Sequence, residues 1–327
     1  MSSTKLTRQR VMLVRSTGFS QAAIDDINTT YPSGDFVVVD DNRESIYGSL
    51  KGLTGLVGCP RPLVTPELVK LASPTIRWIH STGAGCEGFF FQELVESSIT
   101  LTNGKIIQGP EVADHAFALM LSLTRNLCFY QSGRMPASLP RPIELWGKTA
   151  VVIGGGGGIG LLIGERAAAF GMDVVVVDTE LAHMTSFIRR QFYVDQLPEA
   201  LELGDIVFMA APATTSSSGM MNARAFKAMK KGAFFVNVSR GALVVTEDLV
   251  DVLREGWLAG AGLDVTEPEP LPADHPLRSM ANVVLSPHVA GPSDQNRIRS
   301  MALVTRNIGR FVRGESLLNL VDKEQQY

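Results

Sequence analysis

The most constraining feature of this 327-residue sequence is a run of five glycines, Gly154–Gly158. The run directly follows an apolar stretch, Ala150–Ile153, that is predicted to be a buried strand, and it precedes a helical pattern over Ile159–Phe170. The next predicted strand, Asp173–Val177, is nearly all valine and is followed at once by Asp178. The order strand, glycine turn, helix, strand and acid predicts part of a doubly wound parallel α/β sheet.

The glycines have the G-x-G-x-x-G spacing of a dinucleotide site, with the first at Gly155 and the last at Gly160. In such a turn the first glycine allows a tight bend, the second lets the backbone approach a pyrophosphate, and the third permits close helix–strand contact. The N-terminus of the following helix offers N–H groups and partial positive charge to the phosphates. The residues predicted to contact the cofactor phosphates are Gly155, Gly157, Gly158, Ile159 and Gly160.

Asp178 bears on which nicotinamide cofactor the site would accept. It lies 18 residues after Gly160, where a carboxylate binds the ribose hydroxyls. A carboxylate there repels a 2′-phosphate, and neither of the two residues after it is basic. NAD is therefore favoured over NADP, unless Arg189 or Arg190 folds back toward the ribose. The alternative for the glycine run, a flexible loop, is disfavoured by the order of elements around it.

The rest of the chain alternates β-type and helical patterns, and its length suits two domains. Strands separated by helices favour parallel pairing, with helices on both faces of each sheet. The last helical pattern, from about Asp294 to Val312, is expected to pack back on the first domain. We therefore predict an α/β protein with two doubly wound domains and a cleft between them: a flavodoxin-like substrate domain (residues 1–105 and 293–327) and a Rossmann cofactor domain (residues 106–292).

Composition excludes several classes of partner. With 33 acidic and 30 basic residues spread along the chain, there is no electrostatic footprint for nucleic acid or an anionic membrane. No apolar run approaches the roughly 18 residues that a membrane-spanning helix needs. The three cysteines show no CxxC or metal-ligand spacing, so we expect a reducing, cytoplasmic location and no bound metal.

Three later segments each place a charged residue at or just after the end of a predicted strand. They are residues 237–241 with Arg240, residues 264–271 with Glu269, and residues 286–291 with His288. The carboxyl ends of parallel strands form the edge at which an open α/β sheet binds ligands. Taken singly, each residue also fits an ordinary role as a surface cap, a solvated turn residue between prolines, or a loop histidine.

Together these segments resemble the D-isomer-specific 2-hydroxyacid dehydrogenase family, and the resemblance covers nearly the whole chain. It extends to residues 80–85 (HSTGAG), 101–103 (LTN), 112–116 (VADHA), 145–149 (LWGKT), 307–311 (NIGRF) and 319–322 (NLVD). The order and spacing of the Arg, Glu and His segments are its most specific marks. The resemblance implies an NAD-dependent enzyme that reduces a small 2-keto acid, of the glyoxylate or hydroxypyruvate type, to the D-2-hydroxy acid.

The family's catalytic set falls on Arg240, Glu269 and His288. By this resemblance, Arg240 would bind the substrate carboxylate and polarise the 2-carbonyl through charge-assisted hydrogen bonds. His288 would protonate the carbonyl oxygen as hydride arrives, while Glu269 would orient the imidazole and favour its charged form. A glutamate here also argues against the formate dehydrogenases of the superfamily, which use glutamine at that position.

The resemblance implies further contacts with both ligands. Gly83, Ala84 and Gly85 would bind the substrate carboxylate, together with Arg240 and His288. The cofactor contacts that it implies beyond the glycine turn are Asp178, Pro212, Val238, Arg240, Asp264, His288 and Gly291. The helix predicted over about Glu111–Arg125 resembles the element through which the family pairs, so a homodimer is expected.

Some positions depart from the family pattern. The glycine turn is one residue longer than usual, and Cys86 and Glu111 replace the residues usually found there, which predicts altered specificity. Two other functions stay open at this point. One is an NAD-sensing, non-catalytic binding protein of the corepressor type, and the other is a phosphite-type dehydrogenase.

Overall fold

The structure is a computed structural model that describes residues 8–133, 140–180 and 185–326. The chain forms two compact units: unit 1 is Met1–Ile107 with Ser293–Tyr327, and unit 2 is Gln108–Pro292. Unit 1 contains a five-stranded sheet and unit 2 a seven-stranded sheet, and the strands of both sheets pair in parallel. The predicted fold class, α/β with two doubly wound parallel sheets, is confirmed.

Unit 1 takes its strands from the N-terminal part of the chain and one helix from the C-terminal part. Its strands are β1 (Gln9–Val14), β2 (Gly34–Val39), β3 (Gly55–Val57), β4 (Trp78–His80) and β5 (Thr100–Thr102). Its helices are α1 (Gln21–Thr30), α2 (Arg43–Gly48), α3 (Pro66–Ala72), α4 (Gln92–Val95) and α11 (Asn296–Arg313). The strand order β2-β1-β3-β4-β5 is that of flavodoxin-like sheets.

Both faces of the unit 1 sheet are covered. Val11 and Leu13 of β1 pack with Val304 and Ile308 of α11 on one face. Met12, between them in sequence, packs on the other face in a layer that includes α2, α3 and α4. Because successive side chains of a strand point to opposite sides of the sheet, each face needs its own helices. The C-terminal helix α11 is therefore part of the core of unit 1.

Unit 2 holds the glycine turn and the three charged segments. Its strands are β6 (Thr149–Ile153), β7 (Asp173–Asp178), β8 (Ile188–Tyr193), β9 (Ile206–Met209), β10 (Phe234–Asn237), β11 (Gly260–Leu263) and β12 (Val283–Leu285). Its helices are α5 (Gly109–Thr124), α6 (Leu127–Ser132), α7 (Gly158–Ala169), α8 (Leu197–Leu201), α9 (Ala223–Ala228) and α10 (Thr246–Arg254). The strand order is β12-β11-β10-β9-β6-β7-β8, so the chain reverses its direction of travel across the sheet between β6 and β9, the kind of point where doubly wound sheets bind ligands.

Candidate active site

The glycine turn joins β6 to α7 as the sequence predicts. A side chain at Gly160 would put its Cβ atom 2.1 Å from the carbonyl oxygen of Gly154, so only glycine allows the helix to approach the turn this closely. Gly157, the residue before α7, is exposed, and its backbone is open to approach. The amides of the first helical turn have no preceding turn to bond with. This geometry is compatible with a pyrophosphate held on the backbone of the turn.

Asp178 is tied to the glycine turn. One oxygen, Oδ2, accepts a hydrogen bond from the Gly156 amide at 2.8 Å, and the other, Oδ1, accepts one from the Thr179 amide at 2.8 Å. The Thr179 hydroxyl also donates to Oδ1, at 3.3 Å. An ionised carboxylate has about four acceptor positions, so these three bonds leave capacity on Oδ2 for a hydroxyl donor. Asp178 therefore orders the turn and can still accept hydrogen bonds from a ribose.

The remaining predicted residues of unit 2 follow strands that are neighbours in the sheet. Pro212 follows β9, Val238 and Arg240 follow β10, Asp264 follows β11, and His288 and Gly291 follow β12. Because β9 to β12 are adjacent and parallel, their carboxyl ends meet at the edge that also carries the glycine turn after β6. Unit 2 thus brings the predicted cofactor residues and the Arg–Glu–His set to one edge of its sheet.

His288 and Glu269 form a hydrogen-bonded pair. Nδ1 of His288 lies 2.6 Å from Oε1 of Glu269, the distance of a charge-assisted bond. The two side chains are 45% and 41% exposed, so the pair is accessible from solvent. His288 has a φ of 56°, in the left-handed region that residues with a Cβ rarely adopt. Nε2 is the ring nitrogen not used in the contact with Glu269.

Arg240 sits on a turn that its neighbours hold in place. The buried side chain of Asn237 donates from Nδ2 to the carbonyl oxygen of Arg240 at 2.9 Å and accepts from the Ser239 amide at 3.0 Å. A Cβ atom at Gly241 would lie 2.0 Å from the carbonyl oxygen of Thr266, so the chain after Arg240 passes directly against the strand-end segment of β11. The guanidinium of Arg240, half-buried, also donates to the Ser239 carbonyl at 2.7 Å.

Asp264 is the one deeply buried acid of the site. Its side chain is 1% exposed, and it accepts hydrogen bonds from the amides of Val289 and Ala290 at 2.9 Å each. The hydroxyl of Ser286 donates to Asp264 Oδ1 at 2.6 Å, and Nε2 of His115 lies 3.4 Å from the same oxygen. The carboxylate therefore binds the chain segment on both sides of His288.

Three of these contributors were not predicted as site residues: Asn237, Ser286 and His115. Asn237 and Ser286 each form a hydrogen bond with a residue that was predicted, Arg240 and Asp264 respectively. His115 is hydrogen-bonded to Ser286, and through it is linked to Asp264. Asn237 and Ser286 lie in the same strand-end segments as Arg240 and His288. Polar residues in these segments could therefore have been predicted to hold the site residues in place. His115 belongs to α5, far from Ser286 and Asp264 in sequence. The only sequence signal for it is its position in the VADHA stretch, residues 112–116, which resembles the family.

Unit 1 carries the predicted substrate loop after β4. The carbonyl oxygen of Gly83 accepts from the Gly104 amide at 2.9 Å, and that of Ala84 accepts from Asn103 Nδ2 at 2.6 Å. These bonds fix the backbone of the loop against the segment after β5. Cys86, next along the chain, is buried, and this burial raises the pKa of its thiol. Cys86 is therefore a packed side chain and not an activated nucleophile.

The described ranges contain no group of three or more His, Cys, Asp or Glu side chains arranged to hold a metal ion. Within those ranges, no helix has the length and apolar character that crossing a bilayer requires.

Comparisons with a family model and with known proteins all indicate the same family. The family model for the NAD binding domain of D-isomer specific 2-hydroxyacid dehydrogenases matches residues 117–290. A glyoxylate reductase of Korarchaeum cryptofilum is 33% identical over 298 residues, covering 86% of this chain and 87% of its own length. A glyoxylate reductase of Pyrococcus furiosus is 34% identical over 294 residues, covering 86% of each chain.

A solved structure supports the fold. The D-isomer specific 2-hydroxyacid dehydrogenase of Xanthobacter autotrophicus, in complex with NADPH and MES, superposes with a TM-score of 0.80 at 24% identity. The match covers 98% of this chain and 100% of that one. The family model and the two relatives establish more than the fold. The chain belongs to the D-isomer specific 2-hydroxyacid dehydrogenase family, and it is a nicotinamide-dependent oxidoreductase of small 2-keto and 2-hydroxy acids.

Proposed function

We propose that this enzyme reduces a 2-keto acid of the glyoxylate or hydroxypyruvate type with NADH. The observation that carries the proposal is the 2.6 Å contact between His288 and Glu269, because a histidine oriented by a carboxylate is suited to proton transfer. The names of the two archaeal relatives support the substrate class. The product is the corresponding 2-hydroxy acid, as the D-isomer where C2 is chiral.

Unit 2 is the cofactor domain in this proposal. The pyrophosphate would lie on the backbone of Gly155, Gly157, Gly158, Ile159 and Gly160, with Asp178 accepting from the ribose hydroxyls. The contacts toward the nicotinamide would follow the strand ends: Pro212, Val238, Arg240, Asp264, His288 and Gly291. When bound, the reduced nicotinamide supplies the hydride that the substrate accepts at C2.

The surroundings of Asp178 support NADH over NADPH. Tyr193, and not an arginine, stands opposite Asp178 on β8. Arg189 forms an ion pair at 3.2 Å with Asp173, at the other end of β7, and Arg190 is level with Val175. Neither arginine stands beside Asp178 on the neighbouring strand. The Xanthobacter protein binds NADPH on the same fold, so the preference depends on these side chains and not on the architecture.

The proton comes from His288 in the proposed mechanism. Because Glu269 binds Nδ1, the proton that reaches the substrate leaves from Nε2. C2 gains the hydride and the carbonyl oxygen gains this proton, so the C=O bond becomes C–O–H. Arg240 binds the carboxylate with its paired N–H donors and draws charge from the carbonyl oxygen. The exposed imidazole then regains a proton from water, and the same groups serve the reverse reaction.

Unit 1 is the substrate domain in this proposal. Gly83, Ala84 and Gly85 of its loop after β4 would bind the substrate carboxylate. The inward hydrogen bonds of the Gly83 and Ala84 carbonyls support this assignment, because they hold the loop backbone in one conformation. A fixed backbone loop binds a carboxylate with less entropy loss than a mobile one.

We further propose a cytoplasmic homodimer that pairs through the region around α5. Three exposed aromatic side chains lie near that helix: Tyr130 on α6, which packs on α5, Phe170, and Trp146, whose ring lies against Gly171. Phe170 stacks on Phe117 of α5 at 5.3 Å between ring centroids, which places it beside the helix. Exposed aromatic groups next to one helix are typical of an interface.

A substrate panel tests the proposed activity. Purified enzyme is mixed with NADH or NADPH and with glyoxylate, hydroxypyruvate or pyruvate, and the loss of reduced cofactor is followed by absorbance. We expect turnover of glyoxylate or hydroxypyruvate, with higher kcat/KM for NADH. Tight NADH binding without turnover of any keto acid would favour the corepressor-type alternative, and reduction of NAD by phosphite would favour the third function.

A further inference from the structure

A chain of three hydrogen-bonded side chains links α5 to the strand ends of unit 2. His115 Nε2 lies 2.8 Å from Ser286 Oγ, and Ser286 Oγ lies 2.6 Å from Asp264 Oδ1. His115 is on α5, Ser286 directly follows β12, and Asp264 directly follows β11. We call these three residues the His115 relay.

The charge state of Asp264 determines which groups in the relay donate hydrogen bonds and which accept them. Asp264 accepts backbone N–H groups on both oxygens, as a carboxylate does, so the Ser286 hydroxyl must donate its proton to it. The Ser286 oxygen then has only lone pairs to offer to His115. Nε2 of His115 must therefore carry a hydrogen, whichever protonation state the ring adopts.

Asp264 in turn holds the segment that carries the proton donor. Its main-chain oxygen accepts from the His288 amide at 2.8 Å, and its carboxylate accepts from the amides of Val289 and Ala290 at 2.9 Å. His288 has a φ of 56°. A residue with a Cβ keeps such a conformation only where its surroundings impose it. Three consecutive amides bound to one residue, Asp264, impose it here.

We propose that His115 and Ser286 are positioning residues for His288. They fix the Asp264 carboxylate, and through it the backbone conformation that brings the His288 ring to Glu269. The inference rests on the proposed function of His288 as the proton donor. What the relay needs from His115 is the hydrogen on Nε2, which faces the Ser286 oxygen at 2.8 Å and the Asp264 carboxylate at 3.4 Å.

Substitutions at the two outer positions of the relay test this role. His115→Leu removes the donor, His115→Gln keeps an N–H donor at the end of a side chain of similar reach, and Ser286→Ala removes the link. We expect kcat for glyoxylate reduction to fall on the order of tenfold in His115→Leu and Ser286→Ala. In His115→Gln most of that loss should be recovered. The Kd for NADH should change by less than about threefold in all of them, because neither His115 nor Ser286 is a proposed cofactor contact and the glycine turn and Asp178 stay intact.

The control is Asp114→Asn, one residue away on α5, where the carboxylate pairs with Arg166 at 2.8 Å and lies outside the relay. Its kcat should equal that of the unaltered enzyme. Equal losses in His115→Gln and His115→Leu would indicate a packing role and overturn the proposal. If thermal unfolding shows that His115→Leu does not fold, the activity of Ser286→Ala tests the proposal alone. Full activity of Ser286→Ala would then contradict it. An unaltered enzyme without turnover would overturn the proposed function and the relay with it, whereas an active enzyme insensitive to both changes would overturn the relay alone.

Discussion

At the scale of single residues, the site uses two acids in different ways. Asp264 is buried and accepts hydrogen bonds from backbone amides and a serine, so its charge holds a loop. Glu269 is 41% exposed and contacts the ring of His288, so its charge acts on a group that exchanges protons with solvent. In the proposed mechanism the same functional group thus has a structural or a chemical role according to its burial and its partners.

Asp178 provides a prediction about cofactor choice. In Asp178→Ala the negative charge that disfavours a 2′-phosphate is gone, so the ratio of kcat/KM for NADH to that for NADPH should fall on the order of tenfold. The ratio is the useful quantity, because loss of the bond to the Gly156 amide weakens the turn for both cofactors. Asp173→Ala, at the other end of β7, is the control. An unchanged ratio in Asp178→Ala would mean that another residue recognises the ribose.

The residues of the site differ in whether the sequence alone identifies them. Arg240, Glu269 and His288 were recognisable because each follows a strand and the family resemblance covers all three. Ser286 and His115 were not, because their role depends on a hydrogen bond between residues 171 positions apart. A sequence pattern contains no information about such a contact until the sheet and α5 are folded together.

At the scale of elements, the hydrophobic pattern predicted the buried strands of unit 2 but did not predict the edge strand β8. β7 carries four consecutive valines with buried side chains and was expected, whereas β8 contains Arg189, Arg190 and Gln191 and was not. β8 pairs with β7 alone, and edge strands tolerate exposed charge.

The pairing of β4 with β5 gives a prediction about pH and stability. His80 and Thr102 are opposite each other in these strands, and His80 Nδ1 lies 2.8 Å from Thr102 Oγ1. Burial lowers the pKa of His80 to about 4 from the ordinary 6.5. Below pH 6.5 the unfolded chain therefore binds a proton that the folded chain does not, so stability is lost as pH falls toward 4.

Because of His80, we expect the free energy of unfolding to be about 2 kcal/mol lower at pH 5 than at pH 7. Urea unfolding at both pH values, for the unaltered protein and for His80→Asn, measures it. The variant has no imidazole to protonate, so its free energy of unfolding should fall by about 2 kcal/mol less over that interval. Identical pH dependence in the two proteins would show that His80 does not carry the effect.

At the scale of the whole molecule, the two units have separate cores but unit 1 is discontinuous in sequence. Its core needs α11, whose Val304 and Ile308 pack on β1 residues nearly 300 positions earlier in the chain. The order of elements made this return predictable, because the last helix follows the final strand of the second sheet. Which unit binds which ligand is a proposal that depends on the glycine turn and the loop after β4.

The proposed homodimer leads to a prediction about mass. Trp146 is 75% exposed, so Trp146→Lys should place a charge in the interface and convert the dimer to a monomer. Light scattering coupled to size exclusion would report half the mass for this variant. Leu71→Lys, at an exposed apolar position of α3 in unit 1, is the control and should remain a dimer. A monomeric unaltered protein, or a dimeric Trp146→Lys variant, would contradict the proposed interface.

His288 is the proposed proton donor in keto-acid reduction, and kcat/KM for glyoxylate in His288→Ala tests this role. With NADH as cofactor, the value should fall by about 10²–10⁴, the contribution of a positioned general acid. The Kd for NADH, measured on the same preparation, should change by less than about threefold because the glycine turn and Asp178 are intact. Reduction of glyoxylate within a few-fold of the unaltered rate would exclude His288 as the proton donor.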